Sequence, residues 1–472
     1  MCIRDRSKAR LKSETDSEQI LALIAQYIEQ GFPVAQAIHT AVSHIEGSFA
    51  IIVMDLNSDQ LWAIRKDLPL YSSQTSGETC YVVADLAAFP AMITTAYALQ
   101  DLELIHASSQ SLVLVETGQE PVETLPTVYL ALLEQAGEHR SYLEREIFEQ
   151  EMLLPELLQL PKRDLPEDLE EIHFIGCGSS FYAAQFCAQF FVSLGLYPAT
   201  AFVASEFRDQ PPLVTRKTAL IALSQSGETA DILGALRDRG GGYHYKIGLC
   251  NRTGAMIEHL VDKTYPLQAG PEYSVASTKA FTAQIAQLIR FVPTTQAMGS
   301  SGAIKSALST ILNSLIWREW AQNFTSSESI LILARGLLLP IAHEGALKLR
   351  ELSYKQTHAI ASGELKHGSL ALVDSSLTVI LCVPCDRSLQ KHLVAAQEVH
   401  ARGGRLWVLL QEGVDPQSLP SGAQYFVVPS GQAVETALYF TLPFQLLALH
   451  LGNLLGNSID RPRNLAKSVT VE

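Results

Sequence analysis

The 472 residues contain no G-x-x-x-x-G-K-[ST] phosphate loop, and no G-x-G-x-x-G follows the first strand of a βαβ pattern. A Walker-type nucleotide site and a nicotinamide fingerprint are therefore both without support. Positive charge is scarce, with 35 Lys and Arg against 49 Asp and Glu, for a formal charge of −14. Such a chain is a poor candidate for nucleic acid or an anionic membrane, although a local site can still be positive. The 7 cysteines are odd in number and scattered, and no secretory pattern opens the sequence. Free thiols in a reducing, cytoplasmic setting are expected. Cys382-Val-Pro-Cys385 is a lone C-x-x-C without a second pair or a histidine cluster, so a structural role outweighs metal or redox chemistry. The uncharged run from Ala437 to Ile459 contains Pro443, Gln445, His450, Asn453 and Asn457, which hydrocarbon tolerates badly; a buried helix is predicted there.

What is present is ordinary globular material, 47% apolar and 18% charged, with length for two to four domains. Residues 1–120 read as α+β with antiparallel strands. Two amphipathic helices, EQILALIAQYIEQG and PVAQAIHTAVSHIEG, precede short strands such as FAIIVMDL, QLWAIRK, CYVVAD, LELIHA and SLVLVE. Residues 121–149 form a connector, and SYLEREIFEQEMLLPELLQL predicts a helix pair. Strand–helix alternation then begins with EIHFIG, TALIALS and YKIGLCN, which implies a parallel sheet. ESILILARG, LTVILCVPC and RLWVLLQEG repeat that order. Two similar α/β domains are expected at 150–295 and 315–455, with a linker at 296–314 and a tail at 456–472.

Two features carry chemistry. Ser224-Gln-Ser-Gly-Glu-Thr229 lies between a strand and a helix, where parallel sheets bind ligands. Its hydroxyls and the free N–H groups of the following helix suit a phosphate. Ser180 holds the equivalent place after the first strand. Glu228 is discordant there, and is expected to turn away and cap its own helix. Capping alone also explains Ser and Thr at such positions. Further on, Glu344, Lys348 and Glu351 share a helical face. They read either as a solvated ion-pair ladder or as a base with a cation to hold an enolate oxygen. The glycine-framed Ser362-Gly-Glu-Leu-Lys-His367-Gly368 offers an exposed histidine for proton transfer. Lys467 in NLAKSV either reaches a ligand or snorkels.

The runs IGCGSS, ASEFR, LSQSGETAD, VASTKAFT, EGALKLRELSY, GELKHG and DRPRNLAKSVTVE, in this order, resemble the glutamine–fructose-6-phosphate aminotransferases. The resemblance covers 145–472. It implies an α/β fold of two tandem SIS (sugar isomerase) domains with parallel sheets, preceded by an incomplete α+β Ntn-type glutaminase remnant. It further implies conversion of fructose 6-phosphate to glucosamine 6-phosphate, glutamine or ammonia as nitrogen source, no cofactor, and a homodimer through the SIS domains. Ser180, Ser224, Gln225, Ser226 and Thr229 would hold the phosphate and nearby hydroxyls, and Val275, Ala276 and Ser277 would line the sugar. Glu351 would move the proton between C1 and C2, assisted by Lys348. His367, from the neighbouring subunit, would open the ring, with Glu364 in the same loop. Lys467 would form an imine with the open-chain ketose. Two alternatives within the SIS class are an isomerase or deglycase without amino transfer, and a non-catalytic sugar-phosphate-binding module.

The sequence departs from the family pattern in two places. Gln356-Thr357-His358-Ala359 stands where a His-Ala-Glu-like segment is common. Cys2 is followed by Ile3-Arg4-Asp5-Arg6 rather than Gly-Ile, and the elements that build the glutamine site and oxyanion hole are absent. Asp16 then matches a glutamine-binding aspartate without its partners. MCIRDRS reads as an unrelated leader, and productive glutaminase activity is not expected. Residues 8–120 would also lack sheet partners, leaving exposed edges prone to aggregation.

Overall fold

The computed structural model describes residues 15–122 (apart from 48, 57, 59, 67, 76–78, 85–87, 91 and 109–110), 125–126, 139–292 and 298–469. The chain divides into two compact units, within residues 1–135 and 136–470. Cys2 lies outside the described residues.

The first unit opens with helices α1 (Asp16–Glu29) and α2 (Val34–Val42). Strands β1 (Phe49–Met54), β2 (Leu61–Lys66), β3 (Tyr71–Gln74), β4 (Cys80–Val83), β5 (Thr95–Ala98), β6 (Leu104–Ala107), β7 (Leu112–Leu114) and β8 (Leu125–Pro126) follow. They form two antiparallel sheets, β1-β2-β6-β7 and β4-β3-β5-β8. Leu23, Ile24, Ile38 and Val42 of the helices pack on Phe49, Trp62, Ile64 and Leu104 of the first sheet. This is the expected α+β arrangement, with β3, β5 and β8 added. The edge strand β1 leaves Ile52 and Met54 exposed.

In the second unit, the stretch expected to be a helix pair is one helix, α3 (Tyr142–Leu158). Pro155 sits in its last turn, where a missing N–H and the ring disturb little of the ladder. The first α/β half runs β9 (Glu171–Gly176), α4 (Ser179–Ser193), β10 (Ala199–Val203), α5 (Ala204–Asp209), β11 (Thr218–Leu223), α6 (Ala230–Arg239), β12 (Tyr245–Cys250), β13 (Lys263–Pro266) and α7 (Lys279–Leu288). Helices α8 (Ser301–Leu312) and α9 (Ile316–Phe324) lead to the second half. That half runs β14 (Ser329–Ala334), α10 (Leu338–Ser353), β15 (Gln356–Ala361), β16 (Thr378–Val383), α11 (Leu389–His400), β17 (Arg405–Gln411), β18 (Gln424–Val428) and α12 (Ala433–Leu454).

The two sheets are parallel and have the same strand order, β10-β9-β11-β12-β13 and β15-β14-β16-β17-β18. The duplication expected from element order is therefore present in topology. In this order the strand sequence reverses between the first and third strands, and ligands bind in the crevice beyond their carboxyl ends. The CGSS turn follows β9 and the SQSGET loop follows β11.

Both halves contribute to one continuous core, and α12 runs through it. It is long and apolar enough to cross a membrane, but 94% of its apolar window is buried against the rest of the protein. Its polar Gln445 is satisfied inside: Oε1 accepts from Gln150 Nε2 at 2.7 Å, and Nε2 donates to the Thr278 carbonyl. Helix α10 lies directly on α12. A Cβ at Gly345 would stand 2.7 Å from Phe444 Cδ2, closer than packed atoms approach. This contact sets the depth of the helix that carries Glu344, Lys348 and Glu351.

Gly345→Ala is therefore expected to destabilise the protein by about 1–3 kcal/mol, the usual cost of overpacking a closed interface. Urea unfolding would measure it; an unchanged midpoint would mean that the α10–α12 contact yields freely.

Candidate active site

The SQSGET loop is held by its own hydroxyls. Ser224 Oγ lies 3.0 Å from Thr229 Oγ1 and accepts the Gly227 N–H at 2.9 Å. Ser226 Oγ accepts the Glu228 N–H at 3.1 Å. Gly227 has φ +74, and an added Cβ would meet Ile257 Cγ2 at 3.0 Å, so the turn requires glycine. Glu228 does turn away from these hydroxyls, but it does not cap its own helix. Its Oε1 accepts the Met256 N–H at 2.9 Å, at the start of the following short 3₁₀ turn. The carboxylate that would have opposed a phosphate is thus buried and occupied elsewhere. Gln225 Oε1 is buried without a hydrogen-bond partner. Across the crevice, Ser180 Oγ accepts from Gln284 Nε2 of α7 at 2.8 Å.

The tail is clamped onto this region at several points. The Asp460 carboxylate accepts the Tyr142 and Leu143 N–H groups at the start of α3. The Val275 N–H donates to the Asp460 carbonyl at 2.9 Å. Arg463 lies 4.3 Å over the Tyr354 ring at the end of α10, and its N–H donates to the Tyr354 hydroxyl. Ser468 Oγ donates to Ser226 Oγ at 3.0 Å, and the Val469 carbonyl accepts the Ala230 N–H of α6. Lys467 is therefore held beside the SQSGET loop rather than snorkelling to solvent.

Lys467 Nζ donates to Glu272 Oε2 at 2.5 Å. The other oxygen of Glu272 accepts the Thr278 and Ala280 N–H groups at 2.9 and 3.0 Å. Burial alone would raise the Glu272 carboxyl, but Lys467 and these donors hold it below its ordinary value. A second buried carboxyl, Glu146 of α3, accepts from the Ser274 N–H and hydroxyl and from the Tyr273 N–H. Burial, then repulsion from Glu272, pushes Glu146 up to about 7. One lysine faces two carboxyls, and the carboxyl it touches takes the charge.

The α10 cluster repeats this logic. Lys348 is 1% exposed and lies between Glu351 at 2.6 Å and Glu344 at 3.5 Å. A solvated ladder on the protein surface is excluded by this burial. Burial disfavours the Lys348 charge, but attraction from Glu344 and Glu351 outweighs it and raises the ammonium above its ordinary value. Glu344 is itself 1% exposed; burial pushes it up to about 8, against the pull of Lys348 and a 3.0 Å bond from Ser179 Oγ. Glu351 remains half-buried. Of the two carboxyls beside Lys348 it is the reachable one.

Val275, Ala276 and Ser277 lie between Glu272 and the start of α7; Ala276 is buried and its neighbours half-buried. His367 and Glu364 are exposed at a 3₁₀ turn after β15. Among the described residues, the His367 ring makes no hydrogen bond or ion pair, with the α10 cluster or otherwise. The substituted segment Gln356-Thr357-His358 forms part of the edge strand β15, with His358 exposed. Asp16 is the exposed first residue of α1. Among the described residues no His, Cys, Asp and Glu cluster suits a metal. Cys382 is buried in β16 and Cys385 is exposed, both as free thiols.

The SIS domain family matches residues 168–289 and 323–451, and the glutamine amidotransferase domain family matches 4–91. The glutamine–fructose-6-phosphate aminotransferase [isomerizing] of Yersinia pseudotuberculosis serotype I (strain IP32953) is 32% identical over 501 residues, covering 98% of this chain and 81% of its own. The Escherichia coli (strain K12) protein of the same name is 33% identical over 507 residues, covering 100% and 82%. The chain belongs to the glutamine–fructose-6-phosphate aminotransferase family. The C-terminal domain of the glucosamine-fructose-6-phosphate aminotransferase of Francisella tularensis superposes with TM-score 0.62 at 30% identity, over 69% of this chain and 99% of that one. The tagatose-6-phosphate ketose/aldose isomerase of Escherichia coli shares the fold, with TM-score 0.57 at 19% identity over 69% and 97%.

Glu272 and Glu146 were missed as site residues. Their partners lie far away in the chain, 195 residues in the case of Glu272 and Lys467. No local motif marks either carboxylate. Glu228 and Glu344 were visible, but only the fold reveals that Glu228 turns away and that Glu344 is shut inside.

The raised Glu344 carboxyl has a measurable consequence. Its ordinary value is 4.5 and its folded value about 8. Its contribution to stability is full below pH 4.5 and is lost as pH rises through about 8. Glu344→Gln, a neutral isostere, is expected to remove that loss. Its stability relative to the parent should climb with pH in this window, by up to about 1.4 kcal/mol per unit. Denaturant unfolding at pH 5 and pH 8.5 reads it, and a constant difference would mean that Glu344 is ionised throughout.

Proposed function

We propose that this chain converts fructose 6-phosphate to glucosamine 6-phosphate. The observation that carries the reading is the position of Lys467, clamped by Ser468 and Val469 beside the SQSGET loop and held by Glu272. An isomerase needs no lysine there, and neither does a non-catalytic binding module, so the arrangement favours amino transfer over both.

In this reading Ser180, Ser224, Gln225, Ser226 and Thr229 hold the phosphate and adjacent hydroxyls. Val275, Ala276 and Ser277 line the sugar. His367 of a second copy of the chain opens the ring, which makes the working form a homodimer. Lys467 must first lose its proton. Its amine then adds to the C2 carbonyl and expels water as an imine is formed. Ammonia displaces the lysine and leaves nitrogen on C2. The Glu351 carboxylate removes a proton from C1 and returns one to C2, giving the 2-amino aldose. Lys348, fixed between Glu344 and Glu351, holds the base in place and keeps positive charge beside the enolised oxygen. The expected setting is the cytoplasm.

The first unit carries the glutamine amidotransferase match. We propose that the nitrogen is supplied by glutamine or by free ammonia.

The purified chain, given fructose 6-phosphate and an ammonium salt at mildly alkaline pH, should form glucosamine 6-phosphate. Lys467→Arg should lower kcat by about a hundredfold or more, and Glu351→Gln by a similar factor, the usual scale for loss of a nucleophile or base. Sugar-phosphate interconversion without nitrogen incorporation would sink the amino-transfer reading.

A further inference from the structure

The second α/β half has its own crevice at the equivalent place. Arg335 directly follows strand β14, β15 leads into Ser362 and Gly363, and α11 follows β16. These elements enclose a cavity of about 360 Å³, whose lining includes Arg335, Ser362, Lys366, Gln390, Lys391 and Glu398. None of them belongs to the site described above. Three cations and one carboxylate leave this lining at +2, within a chain of net charge −14. The carboxylate is already occupied, since Lys366 Nζ lies 2.7 Å from Glu398 Oε1. Among the described residues, the Arg335 guanidinium and the Lys391 ammonium have no ion-pair partner. The guanidinium is fixed over Gly363, where an added Cβ would meet Arg335 Cζ at 3.3 Å.

The second observation is independent of charge. Ser362 is 5% exposed and its Oγ has no hydrogen-bond partner, although it lines the cavity. A buried hydroxyl left unpaired costs free energy unless something supplies the bond. A planar guanidinium, an unpaired hydroxyl and an exposed ammonium at the carboxyl ends of parallel strands form a set that suits a phosphate. The cavity extends to Gln390 and the Lys366–Glu398 pair, which can meet hydroxyl groups beyond the phosphate.

We propose that this cavity is a second anion site, which takes a small phosphate monoester of sugar size. Arg335 and Ser362 bind the phosphate oxygens, and Lys391 closes over them.

Calorimetric titration of the full chain with inorganic phosphate, and separately with glucose 6-phosphate, tests this. Two molecules should bind per chain. Arg335→Gln should weaken one of them by about tenfold or more and leave the other, as expected for loss of a charged hydrogen bond. Ser362→Ala should weaken the same one less. In a Ser224→Ala/Thr229→Ala variant, the Arg335-dependent molecule should persist, which separates this site from the SQSGET loop even if that loop binds nothing. Tighter binding of glucose 6-phosphate than of phosphate would assign the sugar to the cavity. Equal affinities would overturn the sugar-sized ligand. A titration with no component sensitive to both Arg335→Gln and Ser362→Ala, in chains that melt as the parent does, would overturn the site.

Discussion

A lysine ammonium at 1% exposure is the constraint on which the rest of this protein turns. Lys348 can stay charged in that position only because carboxyls stand on both sides of it. Two carboxylates cannot share one cation equally in a dry interior. Glu344, the more deeply buried, takes a raised affinity for its proton, and Glu351 is the half-buried one of the two. The fold makes this difference by burying one face of α10 against α12 and leaving the edge of that face open.

The same division recurs around Lys467, with Glu272 as the charged partner and Glu146 as the raised one. These two clusters come from α10, α3, the loop before α7 and the tail, so they cannot be assembled locally. Asp460 closes the arrangement by capping α3 while its carbonyl binds Val275. A single segment of tail thereby sets the start of α3, the loop at Val275 and Lys467 in one register.

The central strands were legible because burial on both faces demands continuous apolar runs such as Thr218–Leu223 and Thr378–Val383. The strands that went unread are mostly edges or short pieces. Gln356–Ala361 exposes Gln356 and His358, Gln424–Val428 exposes Gln424, Tyr425 and Val427, and Lys263–Pro266 is only four residues long. Edge position relaxes the demand for apolar residues, so the signal fades where the sheet ends. The SQSGET loop was legible for a different reason: its hydroxyls and glycine are dictated by local turn geometry. Glu272 obeys no local rule, and only the folded chain brings Lys467 to it.

The two halves of the second unit share one strand order but not one loop chemistry. After β11 the chain supplies hydroxyls and backbone N–H groups, and the tail lies across them. In the second half the crevice is bordered by Arg335, Ser362 and Lys391, and no tail segment covers them among the described residues. A phosphate in the first crevice must be met by dipoles, since Lys467 is already engaged by Glu272 and Lys348 by Glu351. In the second crevice Arg335 and Lys391 have no ion-pair partner among the described residues, an arrangement suited to holding an anion rather than transforming it. Duplication of the sheet has thus left two anion-shaped places, and the placement of carboxylates decides which one can be reactive.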